Sequence, residues 1–152
     1  MTTGTNIFTQ EQRDLLTAAY NRLIPAQDKF PAAGDLGGAQ FVEGAAAKNI
    51  ALRRSLSEGL AQLEIAASSR GNAGFVGLAA TEQDATLREV EAEYPAFFRE
   101  FVRQCYNFYY TNPDVFELIG YSLPEPQDYQ PLPFDESLLE PVKQRGQMWR
   151  PV

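Results

Sequence analysis

The sequence has no histidine and one cysteine, Cys105, among its 152 residues. The missing histidine excludes Ser/His/Asp and Cys/His catalytic arrangements and imidazole metal sites. A single cysteine excludes intrachain disulfides, CxxC redox pairs, zinc knuckles and iron–sulfur ligation. Enzymes without histidine exist, but these absences argue against an enzyme that works by itself and predict neither a catalytic residue nor a metal site in this chain.

Long apolar runs and clustered positive charge are also missing. No apolar stretch is long enough to cross a bilayer, so no membrane insertion is predicted. The formal net charge of −7 argues against nucleic acid as a partner, because phosphate binding needs a clustered basic face. Residues 1–16 lack a basic segment followed by an apolar core, so no signal peptide is predicted.

Apolar residues recur at helical spacing along most of the chain, which predicts an all-α fold. The clearest case is the stripe Leu52, Leu56, Leu60, Leu63 and Ala67 within residues 50–70. The length fits one domain, and we expect a compact bundle of about five helices over residues 1–121. We expect residues 122–152 to form an extended, proline-rich C-terminal arm.

Local signals predict where several helices begin and end. Thr9 with Gln12 has the spacing of a capping box, and the helix that follows stops at Pro25. Thr81, with Asp84 three positions later, predicts another helix cap. At Lys48–Asn49 the sequence leaves open whether one helix ends or continues.

Residues 96–121 hold nine Phe or Tyr residues in 26 positions, half of the aromatic residues in the chain. Pro95 suits the first turn of a helix, Asn112-Pro113 ends that helix, and Gly120 closes a short one after it. The apolar arc of the first helix spans roughly 220°, against about 100° for a helix with one buried side. This helix is therefore expected to be covered on more than one side, by its own domain or partly by another chain.

Individual side chains on this helix allow more than one interpretation. Cys105 lies in the apolar stripe with no base nearby in sequence, which predicts a buried and unreactive thiol. Tyr106, Tyr109 and Tyr110 are either core residues with hydroxyls at the boundary or part of a binding site, and a protein interface is the preferred site. The carboxylates Glu89 and Glu93 are interpreted as a solvated helix face.

The C-terminal arm contains six of the ten prolines and still carries Tyr129, Phe134 and Trp149. Proline at this density prevents a helix through its first half, although a helical turn is allowed around Glu136–Glu140. Free disordered tails are normally poor in aromatic residues, so we expect the arm to dock on this domain or on a partner.

Four segments of the chain, taken in order, resemble the gluconate 2-dehydrogenase subunit 3 family. They are LLTAAYNRLIPAQD at 15–28, LRRSLSEGLAQLEIAAS at 52–68, FVGLAATEQDATLREVE at 75–91 and FYYTNPDVFELIGY at 108–121. The last, which is similar to the family's closing (Y/F)-(Y/F)-[ST]-[DN]-P … IGY pattern, is the most specific. The resemblance covers roughly Phe8 to Tyr121.

This resemblance implies an all-helical, non-catalytic small subunit bound to a large catalytic subunit of the GMC type that carries FAD and oxidises a sugar, glycoside or polyol. It implies no cofactor in the chain itself. Members of the family commonly carry a twin-arginine signal that this sequence lacks at residues 1–16. We therefore expect a cytoplasmic complex, or a periplasmic or exported one if the large subunit carries the signal.

Eight aromatic or basic residues are predicted to bind the partner: Tyr106, Tyr110, Phe116, Tyr121, Tyr129, Phe134, Trp149 and Arg150. Trp, Tyr and Arg are enriched at interface hot spots. The alternative from another class is a free-standing helical adaptor that presents an aromatic groove to an unrelated peptide.

Overall fold

The computed structural model describes residues 6–122 and 135–146. Seven α-helices lie in the first range: α1 (Gln10–Leu23), α2 (Gly38–Lys48), α3 (Ile50–Ser68), α4 (Gly74–Gly77), α5 (Ala80–Glu93), α6 (Pro95–Tyr110) and α7 (Pro113–Ile119). The second range holds a 3₁₀ helix (Glu136–Leu139) and α8 (Glu140–Arg145). These residues contain no strand, so the all-α prediction is confirmed.

The predicted count of about five helices is wrong, because two short helices join the five longer ones in the first range. The helix α4 is a single turn whose four residues, GFVG, are too few to show a periodicity. Helix α7 begins at Pro113 directly after Asn112, whose side-chain oxygen accepts a hydrogen bond from the Asp114 amide at 2.9 Å. The short helix predicted between Asn112-Pro113 and Gly120 is therefore present, whereas no sequence pattern predicts α4, because a single turn cannot show a repeat.

The chain divides into two compact units, Met1–Ser122 and Leu123–Val152. In the second, Asp135 caps the 3₁₀ helix by accepting a hydrogen bond from the Ser137 amide at 2.9 Å. The helical turn allowed around Glu136–Glu140 is thus present, and helix continues to Arg145 where an extended arm was expected. Pro141 permits this because it lies in the first turn of α8, where its missing N–H needs no partner.

Helix boundaries in the first unit follow the local signals with one exception. The capping box of Thr9 and Gln12 is present in both directions, at 3.2 and 3.0 Å. The prediction that Thr81 caps α5 is wrong, since α5 already begins at Ala80 and the carbonyl of Ala79 accepts hydrogen bonds from Glu82 and Gln83. The Gln83 side chain also donates to the Phe75 carbonyl at 3.0 Å, which holds this start of α5 against α4.

The core lies between α6 and the four other long helices, α1, α2, α3 and α5. Its largest fully buried side chains include Tyr20, Phe75, Phe101, Leu16, Leu56, Leu60 and Leu63. Contacts on several sides of α6 confirm the expectation drawn from its wide apolar arc, and the domain itself supplies them. Within the described ranges, no helix has both the length and the apolar character needed to cross a membrane.

Candidate protein-interaction surface

Two tyrosines on the last turns of α6 face solvent. Tyr106 is 46% exposed and Tyr110 is 59% exposed, whereas Tyr109 between them is buried. The Tyr106 and Tyr110 rings pack edge to face with centroids 5.9 Å apart, as residues four positions apart on a helix can do. The core interpretation therefore holds for Tyr109 and fails for the other two.

Two exposed arginines continue the line of these tyrosines toward the start of α6. Arg99, Arg103, Tyr106 and Tyr110 are spaced by four, three and four residues, so they fall within an arc of roughly 60° on the helix. We call these four residues the α6 stripe. The guanidinium of Arg103 is oriented by two hydrogen bonds to Glu100, at 2.9 and 2.6 Å. The stripe combines residue types that dominate protein–protein hot spots.

A second aromatic pair lies on and after α7. The rings of Phe116 and Tyr121 meet edge to face with centroids 5.1 Å apart, and Tyr121 is 50% exposed. Gly120, at a φ of 73°, turns the chain back so that the Tyr121 amide donates to the Phe116 carbonyl at 2.9 Å. This left-handed conformation suits glycine, and it brings the two aromatic side chains together.

The loop between α1 and α2 ties both aromatic pairs to the domain. The Tyr109 hydroxyl donates to the Pro31 carbonyl at 3.0 Å, beside the exposed Tyr110. The Lys29 ammonium group, also in this loop, donates a hydrogen bond to the carbonyl of Leu118 on α7 at 2.5 Å. Burial raises the pKa of the Tyr109 hydroxyl, so it remains a proton donor to this carbonyl at neutral pH.

The predicted partner-binding residues are brought together only within these two pairs. In the described ranges, no aromatic contact joins Tyr106 or Tyr110 to Phe116 or Tyr121. The remaining candidates, Tyr129, Phe134, Trp149 and Arg150, lie outside the described residues.

Two exposed aromatic residues, Phe41 and Tyr94, lie outside the predicted set. Phe41 on α2 is largely exposed, and its ring lies 5.3 Å from that of Phe108 on α6. The sequence does carry a signal for its exposure, because Ala39, Val42 and Ala46 form the buried side of α2 and Phe41 lies off that side.

Groups with acid–base or metal-binding chemistry are few in the described part of the chain. Cys105 is fully buried, and this burial raises the pKa of its thiol to about 12. Glu89 accepts from Arg70 at 2.5 Å. Residues 6–122 and 135–146 contain no group of three or more His, Cys, Asp or Glu placed to hold a metal ion. The exposed tyrosines and arginines are suited to contact with another protein.

Comparison with known proteins covers the helical unit. The family model described as Gluconate 2-dehydrogenase subunit 3 matches residues 10–124, which include α1 to α7, the α6 stripe and the Phe116–Tyr121 pair. No curated protein and no solved structure matches the chain. Residues 125–152, with Tyr129, Phe134 and Trp149, lie beyond the matched region.

Proposed function

This chain belongs to the gluconate 2-dehydrogenase subunit 3 family, and we propose that it is the non-catalytic small subunit of a flavin-dependent dehydrogenase or oxidase. Its partner is a large GMC-type subunit that carries FAD and oxidises a sugar, glycoside or polyol. The small subunit binds this partner and stabilises its folded form. A protein that binds only the folded state of another shifts that partner's folding equilibrium by mass action.

The α6 stripe is the observation that supports this proposal. Helix α6 is already covered on several sides by its own domain, yet two adjacent tyrosines remain 46% and 59% exposed on its outer side. Aromatic side chains with two arginines in line form a surface that another protein can desolvate with a large gain in contact area. The stripe lies wholly inside the region matched by the family model.

The chemistry in this proposal belongs to the partner. The flavin supplies hydride acceptance, and the large subunit positions flavin and substrate. The small subunit contributes contacts, which a surface of tyrosine and arginine side chains can make.

Co-production tests the proposal. A candidate GMC-type flavoprotein from the same genome is produced with and without this chain, and each preparation is assayed for bound flavin, sugar oxidation and co-purification. We expect yellow, active flavoprotein only when both chains are made, and a complex that survives size-exclusion chromatography. A flavoprotein that is equally abundant, yellow and active without this chain would overturn the proposal.

A further inference from the structure

A cleft of about 480 Å³ opens between the start of α1, the middle of α3 and α4. Its apolar lining includes Leu15, Leu60 and Val76, and the Val76 side chain is 52% exposed. This volume falls within the range of sites that take a ligand or a protruding side chain. The α6 stripe contributes no residue to it.

The polar part of the cleft carries one sign of charge. Glu11, Asp14 and Glu64 line it, and none of the described residues that line it is Lys or Arg. Asp14 accepts a hydrogen bond from the Gln10 amide at 2.8 Å, and Glu64 accepts from the Phe75 backbone N–H at 3.4 Å, so both of these partners are neutral. The neighbouring cation Arg13 is paired with Glu43 at 2.8 Å.

At one wall of the cleft, the Glu64 carboxylate lies against the backbone of Gly74. Gly74 has a φ of 66°, and a Cβ at this position would lie 2.1 Å from the Glu64 carboxylate oxygen. The next residue, Phe75, is fully buried and fixes α4 to the core. Glycine therefore permits the approach of the carboxylate, and the cleft is part of the folded domain.

We propose that this cleft receives a long basic side chain of the flavoprotein partner, an inference that rests on the function proposed above. The aliphatic stem of an arginine or lysine packs on the apolar lining while its charged end meets the carboxylates. A metal ion would need no apolar lining, and the described residues place no three acidic or cysteine side chains together as ligands. The negative charge and the apolar lining of the cleft thus both favour an arginine or lysine side chain.

Two cleft variants and a matched control test the inference by titration of the flavoprotein with the purified small subunit. Glu11→Lys reverses one carboxylate of the cleft, and Val76→Lys places an ammonium at an exposed apolar position. We expect each to weaken binding about tenfold at low salt, and less at high salt, because screening reduces the repulsion. Glu93→Lys makes the same charge change as Glu11→Lys on an exposed residue of α5 outside the cleft, and should stay within about twofold of the unaltered chain.

The outcomes separate this inference from the proposed function. Circular dichroism and thermal melts first establish that both cleft variants are folded. Binding of the flavoprotein by both variants with unaltered affinity, while the unaltered chain also binds, overturns the inference alone. Failure of the unaltered chain to bind the flavoprotein overturns the proposed function, and this inference with it.

Discussion

The ring of Phe97 packs against Gly59 so closely that a Cβ on residue 59 would lie 2.1 Å from two of the ring carbons. Gly59 is buried in the middle of α3, and Phe97 is buried in the first turn of α6. A glycine inside a helix usually costs about 1 kcal/mol relative to alanine. Here the missing side chain permits the close approach of α3 and α6, which offsets that cost.

Gly59→Ala should therefore destabilise the domain although alanine is the better helix former. Overpacking a well-filled core costs about 1–3 kcal/mol, and a 2.1 Å approach to a ring places Gly59→Ala in the upper half of that range, above the gain of about 1 kcal/mol in helix propensity. We expect a net loss of about 1–2 kcal/mol in the free energy of unfolding, measured by urea denaturation. Gly44→Ala is the matched control, because no atom lies within 4 Å of a Cβ added there in α2. The control should stabilise by up to about 1 kcal/mol, and a stabilised Gly59→Ala would contradict the packing argument.

Glu43 should give the domain a distinct acid sensitivity. Its carboxylate accepts two hydrogen bonds from Arg13, both 2.8 Å, and two from the amides of Ile7 and Phe8. The Arg13 guanidinium, followed by these amides, lowers the pKa of Glu43 from 4.5 to about 2. Because the pKa of Glu43 is lower in the folded chain, its ionised carboxylate stabilises the fold fully above the pKa of the unfolded chain. This contribution to the free energy of unfolding is lost as the pH falls from 4.5 toward 2.

Comparison of the unaltered chain with Glu43→Gln tests this sensitivity. Between about pH 6 and pH 3 the unaltered chain should lose about 2 kcal/mol more unfolding free energy than the variant does. Glu58→Gln serves as control, since Glu58 pairs with Arg54 on an exposed surface, where ion pairs contribute little. If the unfolding free energies of the unaltered chain and Glu43→Gln fall equally with pH, the Glu43–Arg13 pair does not stabilise the fold.

Cys105 should be unreactive in the folded chain. With a pKa of about 12, caused by burial, only about one thiol in ten thousand is ionised at pH 8. We expect an aromatic disulfide reagent to modify it only in denaturant. Cys105→Ala should cost on the order of 1–2 kcal/mol of packing and leave the activity of the complex within a few-fold. Loss of sugar oxidation by a folded Cys105→Ala complex would assign the thiol a chemical role.

The double variant Tyr106→Ser/Tyr110→Ser should lose partner binding without losing the fold. Both side chains are exposed, so the melting temperature should change little, whereas removal of two hot-spot residues should weaken binding by about 30-fold or more. The matched control is Ile50→Ser/Ile65→Ser, which removes two exposed apolar side chains from α3. Equal losses of affinity in both double variants would mean that the α6 stripe contributes no more to partner binding than exposed apolar residues elsewhere.

Deletion of residues 122–152 should leave a folded helical domain that no longer co-purifies stably with the flavoprotein. The sequence of this segment contains a tryptophan and several other large side chains, and its six prolines limit the conformational freedom that it loses on docking. Trp149→Ala alone should cost about 2–4 kcal/mol of association. Unfolding of the truncated chain would show that the arm packs on its own domain, and unchanged affinity would place the interface on α6.

The long helices could be predicted from the sequence because each repeats its apolar residues over several turns. Leu52, Leu56, Leu60 and Leu63 are buried as their spacing indicates. Pro95 and Gly120 occupy the first turn of α6 and the end of α7, as their backbone preferences require.

Features that depend on tertiary contact could not be predicted in this way. Thr81 and Asp84 have the residue types and spacing of a helix cap, but the hydrogen bond from Gln83 to the Phe75 carbonyl favours a start of α5 at Ala80. Tyr109 and Tyr110 are adjacent and identical in type, yet only Tyr109 is buried against the loop that contains Pro31. The residues that line the cleft come from three separate helices, so no local sequence pattern predicts it.

Asn49 joins two helices by itself. Its amide donates to the Ala46 carbonyl at the end of α2, and its side chain accepts from the Leu52 amide at the start of α3. A connection of one residue cannot absorb an insertion. An inserted residue would therefore rotate the whole of α3 about its axis by about 100° and turn its leucines away from the core. A change in chain length is better tolerated in the connection that precedes α4, where Asn72 and Ala73 are exposed. A fusion tag or a fluorescent label placed there should leave the bundle intact, whereas the same insertion at Asn49 would disrupt it.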